Sequence, residues 1–290
     1  MNSGYCRNTA FILLVSGLIA FSGCGRTEAA SSASSQQVSS AVQSSAQSAV
    51  SAAASAAVSQ AAGSQDEVSS VEPAEGIAES AKADQSYLDD AVFIGDSVSL
   101  KLKNYVTAKR KTDPDIFGKA QFLAAGSMGS GNALQPLSGS SIHPSYNGKK
   151  ALLEDNVAAM GAKKVYIMLG TNDIALYGID GSVQNMAKLL SNIKAKSPNA
   201  LIFVQSSTPM IKEKQMKVLN NHNLEVYDSA LSKMCKEKGY YFIDVASVMR
   251  DKDGNLPLEY CSDPDILGIH FTDKACEIWI NYILTHTVKS

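Results

Sequence analysis

Four residue types able to cooperate in acyl transfer stand at strand-to-turn boundaries along this chain. Ser97 closes Ala91-Val-Phe-Ile-Gly-Asp-Ser97, a short apolar, β-rich run broken by a Gly-Asp-Ser turn and followed by a helical pattern. That puts a hydroxyl at the C-terminal edge of a first strand, where open α/β sheets concentrate their chemistry. Alone the turn is ordinary, because Gly and Asp break strands and Ser caps helices. Its company is not: Ala125-Gly126-Ser127, Gly170-Thr171-Asn172-Asp173 and Gly268-Ile269-His270-Phe271-Thr272 follow in order. A serine hydroxyl becomes a nucleophile when a base takes its proton, and imidazole has a suitable pKa. Negative charge then develops on the attacked carbonyl oxygen, and fixed N–H donors stabilise it more than they stabilise the ground state. The backbone N–H groups of Ser97 and Gly126 and the side-chain amide of Asn172 are the candidate donors.

The elements needed to position these residues are legible. Five apolar runs, at Ala91–Ile94, Gln121–Ala124, Lys164–Leu169, Ala200–Gln205 and Tyr240–Val245, alternate with stretches of helical spacing. The helical stretches are Ser99–Lys109, Lys149–Met160, Ser182–Lys196, Lys217–Lys238 and Asp273–Thr287. Such alternation predicts a five-stranded parallel sheet covered by helices on both faces. Right-handed crossovers put all strand ends on one rim. Ser97, Gly126, Asn172 and His270 follow the first, second, third and fifth runs, so they converge there.

The four blocks together resemble the SGNH (GDSL-type) hydrolases, and the resemblance spans Tyr87 to His286. It implies a flavodoxin-like three-layer α/β/α sandwich, with Ser97 as nucleophile, Ser97, Gly126 and Asn172 as oxyanion donors and His270 as general base. It also implies an acyl-serine intermediate, ester hydrolysis and no cofactor or metal. One departure stands out. The family carries Asp three residues before the His, and here that position is Leu267. Asp265 fills the role if Ile266-Leu267 is an insertion, Asp263 if the loop bulges otherwise, and a Ser-His dyad is the third option; the sequence reading favours Asp265. The remaining histidines, His143, His222 and His286, carry no motif and read as a loop, a polar-helix and a C-terminal residue.

Residues 1–24 read as a lipoprotein signal peptide, with Arg7, an apolar stretch too short to span a bilayer, and Phe21-Ser-Gly-Cys24. Cys24 is the expected lipidation site, giving a membrane-anchored protein on the extracytoplasmic face. From residue 25 to 84 the chain is rich in Ser and Ala and turns acidic, with too few large apolar side chains to offset its ordering entropy. It reads as a tether, leaving residues 85–290 as one catalytic domain. The net charge is −2, with the acidic excess in the tether and the domain from Gln85 near neutral, so neither nucleic-acid binding nor a polybasic membrane face is indicated. Cys235, Cys261 and Cys276 read as small buried thiols. Asp251-Lys-Asp253-Gly-Asn255 looks like a calcium loop but lacks its terminal Glu, and reads as a turn.

The expectation is thus an ester substrate with a short acyl group, acetyl above all, carried on carbohydrate. A lipid-directed acylhydrolase, or a surface binding module that has lost efficient catalysis, are the alternatives.

Overall fold

The computed structural model describes residues 74–288. The leader, Cys24 and the tether as far as residue 73 lie outside the described residues.

The five apolar runs form one parallel sheet. Its strands are β1 (Ala91–Gly95), β2 (Gln121–Ala124), β5 (Lys164–Met168), β6 (Leu201–Gln205) and β7 (Tyr241–Ile243), in the order β2-β1-β5-β6-β7. Every residue of β1 and β5 is buried, as expected of central strands covered on both faces. The order reverses beside β1, so the rim between β1 and its neighbours is the topological switch point where open sheets place their sites.

Alternation along the strands sorts two cores. Phe93, Tyr166, Phe203 and Tyr241 stand side by side in register on one face and stack with ring centroids 4.5, 4.5 and 5.0 Å apart. Each such pair contributes about 0.5–1.5 kcal/mol beyond simple burial. This face packs against α1 (Ser97–Lys109) through Val98, Leu102 and Val106, and against α6 (Asp273–Thr285) through Trp279 and Ile283. Val92, Ile94, Val165, Ile167 and Val204 point the other way. They meet α3 (Leu153–Met160), α4 (Ile174–Lys196) and α5 (Asn221–Lys238). The result is the expected α/β/α sandwich.

The differences from the sequence reading have local causes. Lys149 and Lys150 belong to a two-residue hairpin, β3 (Ser145–Tyr146) with β4 (Lys149–Lys150), turned by Asn147 and Gly148 at positive φ, so α3 starts later than helical spacing suggests. Helix α4 starts earlier, at Ile174, and kinks at Gly178. A short helix, α2 (Ser130–Ala133), follows β2. The packed chain also begins upstream of residue 85: Ile77 N–H donates to the Phe242 carbonyl, and Ser80 and Ala83 N–H groups donate to the Thr285 and Leu284 carbonyls.

Candidate active site

Ser97 is the first residue of α1, and Asp96 is its N-cap. The Asp96 Oδ1 accepts from Val98 N–H at 2.9 Å, which fixes the turn from β1 into the helix. Being the first helical residue, Ser97 has a backbone N–H without an intrahelical acceptor, which leaves it available as a donor. Gly95 permits the close approach: a Cβ there would lie 2.0 Å from Ser99 Oγ and 2.8 Å from the Met168 carbonyl. The other Asp96 oxygen, Oδ2, accepts from Thr171 Oγ1 at 2.5 Å and Asn172 Nδ2 at 3.2 Å, so one buried carboxylate joins the serine turn to the loop after β5. Burial pushes the Asp96 carboxyl above its ordinary range, opposed by the Thr171 hydroxyl, the Val98 amide and the field of His270.

Gly126 lies on an exposed turn after β2, closed by Met128 N–H on the Ala125 carbonyl, with Ser127 at φ 59°. The Ala125 N–H in turn donates to the Gly95 carbonyl, which brings this turn beside Ser97. Asn172 Nδ2 reaches the Met128 carbonyl at 3.2 Å as well as Asp96, so its amide faces both loops. Asp173 fastens them. Only 1% exposed, its carboxylate accepts from Ser130 N–H at 2.7 Å and Gly131 N–H at 2.9 Å, capping α2 from a distant segment. Burial pushes Asp173 upward in pKa against the pull of those two amides.

His270 finds its carboxylate in Asp263. Asp263 Oδ2 lies 2.7 Å from His270 Nδ1, and Oδ1 accepts from the N–H groups of Ile269 at 3.1 Å and His270 at 2.9 Å. Partial burial pushes Asp263 up, but the donors from the His270 side chain and backbone and from Cys261 outweigh it and hold the carboxyl below its usual range. The favoured expectation, Asp265 at the imidazole, is corrected: Asp265 is exposed, and its backbone carbonyl accepts from Lys214 Nζ at 2.9 Å. The reason is a β-type pairing. Cys261 bridges Phe271 in antiparallel fashion, Ser262 N–H donates to the His270 carbonyl, and Thr272 N–H donates to the Tyr260 carbonyl. Asp263 and His270 thus leave facing strands and meet across the base of a loop, so a separation of seven residues closes as well as three. Gly268 makes the return possible at φ 69°, where a Cβ would lie 2.6 Å from Ile211.

The other histidines stand apart from this pair by their contacts. His143 is buried with Nε2 2.9 Å from the Ala133 carbonyl, and His222 is exposed. His286 is buried and stacked on Tyr282. Cys235, Cys261 and Cys276 are buried and free. Asp251 Oδ1 accepts from the N–H groups of Asp253 and Asn255, a side-chain-closed turn. Among the described residues no group of three or more His, Cys, Asp or Glu is arranged to hold a metal ion. Sequence reasoning named Thr171 and Asp173 only as block residues without a role of their own, and Cys261 only as a buried thiol. The first two sit beside Asn172, and an Asp before a helical run, with a glycine-rich turn elsewhere needing a cap, was the available signal.

Comparison with known proteins adds a family. The model of the GDSL-like lipase/acylhydrolase family matches residues 123–278, which include Gly126, Asn172, Asp263 and His270 and begin downstream of Ser97. No curated protein matches. Among solved structures, a GDSL-like lipase from Bacteroides thetaiotaomicron is similar at 16% identity, with 66% of this chain and 83% of that chain covered and a TM-score of 0.49. An acetylxylan esterase from Geobacillus stearothermophilus is similar at 13% identity, covering 70% and 93%, with a TM-score of 0.46. The periplasmic domain of a lipopolysaccharide acetyltransferase from Salmonella ser. Paratyphi A is similar at 14% identity, covering 67% and 81%, with a TM-score of 0.47.

Proposed function

The chain belongs to the GDSL-like lipase/acylhydrolase family, and from that premise we propose that it is a serine esterase in which Ser97 attacks, His270 takes the proton and Asp263 orients the imidazole. The observation that carries this reading is the 2.7 Å contact between His270 Nδ1 and Asp263 Oδ2. It fixes the tautomer that leaves Nε2 free to accept a proton, and it supplies a counter-charge for the imidazolium that forms. Ser97 Oγ bonds to the carbonyl carbon and its proton passes to His270 Nε2. The resulting oxyanion is held by the N–H groups of Ser97 and Gly126 and by Asn172 Nδ2, which turns one hydrogen from its 3.2 Å contacts. Collapse expels the alcohol with the His270 proton. Water, deprotonated by the same imidazole, releases the acid.

The substrate we propose is a short-chain ester, acetyl above all, on a surface carbohydrate. The protein acts on the extracytoplasmic face, anchored through Cys24. Supporting the location are the leader, the small residues before Cys24 and the Ser- and Ala-rich stretch that follows. A second reading, a lipid-directed acylhydrolase, is favoured by exposed apolar side chains close in sequence to the site residues. Ile266 is 74% exposed between Asp263 and His270, and Leu176 is 72% exposed one helical turn past Asn172.

The test is hydrolysis of a p-nitrophenyl ester series from acetate to palmitate by the domain beginning at Ala74. The proposal expects the highest kcat/KM at acetate and its loss in Ser97→Ala. A maximum at long chains transfers the assignment to the lipid reading, and an active Ser97→Ala protein overturns both.

A further inference from the structure

Cys261 is buried, at 6% exposed, and its thiol faces the carboxylate that meets His270. Its Sγ lies 3.4 Å from Asp263 Oδ1, within reach of a thiol hydrogen bond. Both ends of the residue are fixed: its N–H donates to the Leu258 carbonyl, and its backbone bridges Phe271, next to His270. We propose that Cys261 is a positioning residue for catalysis, its thiol serving with the Ile269 and His270 amides as the third donor that turns Asp263 toward the imidazole. This rests on the esterase reading above.

The division of labour on the carboxylate supports the assignment. Oδ2 is committed to His270 Nδ1, and Oδ1 collects the two backbone amides and the thiol. Three donors converging on one oxygen restrict rotation of the carboxylate about its last bond, so the geometry of the 2.7 Å contact is set before substrate arrives. Burial pushes the Cys261 thiol up to about 11, so it stays protonated, and therefore a donor, at any pH at which an imidazole works as a base. Cys235 and Cys276, also buried, have their pKa raised chiefly by burial and touch no site residue in this way.

A donor on Oδ1 also withdraws negative charge from the carboxylate that holds the imidazole proton. Removing it makes Asp263 a stronger partner for protonated His270, so the base loses its proton at higher pH. The other charged groups around the pair are Asp96 from the end of β1, whose carboxyl feels the His270 charge, and Asp265 on the exposed loop. Glu259 is paired with Lys274 at 2.6 Å, and Lys214 is on the Asp265 carbonyl. None of these is altered by a change at Cys261.

The experiment is the pH profile of kcat/KM for wild type, Cys261→Ala and Cys261→Ser, whose acid limb reports ionisation of the free enzyme's base. Loss of a weak thiol donor to a charged acceptor is expected to lower kcat by about 3- to 10-fold and move the acid limb up by about half a pH unit. Cys261→Ser keeps a donor and should return the limb to within about 0.2 unit of wild type. A limb unmoved in Cys261→Ala, with only thermal stability reduced, overturns the proposal and leaves Cys261 a packing residue. If the alanine variant does not fold, the infrared S–H stretch of the intact protein decides. A red-shifted component that disappears in Asp263→Ala, which removes the acceptor, supports the bond, and three unshifted thiols in the domain refute it. Activity persisting in Ser97→Ala is the separate result that removes the reading beneath.

Discussion

Replacing Asp263 with Asn separates the two candidate carboxylates sharply, and the structure sets the size of the effect. In Asp263→Asn the side-chain carbonyl takes the Oδ1 position, because the Ile269 and His270 amides need an acceptor there. The NH2 group is then forced opposite His270 Nδ1. Both would be donors, so the imidazole must adopt the other tautomer, with its proton on the nitrogen that has to receive the one from Ser97. The charge partner is lost as well. With charge centres about 4 Å apart and an effective dielectric near 20, the attraction amounts to about 4 kcal/mol, or roughly a thousandfold in rate. The assay is kcat/KM on p-nitrophenyl acetate beside a thermal melt, which should fall only by the ionic contribution of Asp263 because both amide bonds are kept. Asp265→Asn should stay within about twofold of wild type, since that residue is exposed on the loop and the imidazole is held by Asp263. A wild-type-like Asp263→Asn enzyme, or a large loss in Asp265→Asn, would refute the reasoning.

Asp173→Ala leaves the buried N–H groups of Ser130 and Gly131 without an acceptor. It should cost about 3 kcal/mol and about 6–12 °C in Tm, measured by calorimetry, and lower kcat as the Gly126 turn loosens. Because Asp263 has a lowered pKa in the folded protein, its ionic contribution to stability is present above its unfolded value near pH 4 and is lost as pH falls through the folded value. The stability gap between wild type and Asp263→Asn in urea titrations should therefore be open at pH 6 and narrow progressively below about pH 4. Cells expressing the full chain should incorporate labelled fatty acid into it, and Cys24→Ala should abolish the label; an unlabelled wild-type protein released into the medium contradicts the anchor.

Much of the scaffold was legible because it is written locally. The apolar runs and the turn residues after them put five strands in their places, and with them the strand ends after which Ser97, Gly126 and Asn172 stand. The acid partner was not legible, because what brings Asp263 to His270 is pairing of residues 260–262 with 270–272, a ladder with no signature in the intervening Pro264–Gly268 loop. Counting residues from the histidine pointed to Asp265 for that reason. The role of Asp173 escaped notice on similar grounds: it caps α2, a four-residue helix too short to show a period and held by a segment far along the chain. The Asn147-Gly148 turn was a visible hairpin signal, but the flanking lysines read more readily as the start of a helix.

The central claim is that Ser97 is the nucleophile, and the measurement that tests it most directly is the site of covalent modification by a fluorophosphonate. Digestion and mass spectrometry of the treated protein should find one phosphonyl group per chain, on Ser97, with loss of esterase activity in proportion to labelling and much slower labelling in His270→Ala. An adduct on another residue, or full activity in a protein whose Ser97 is fully modified, would contradict the account.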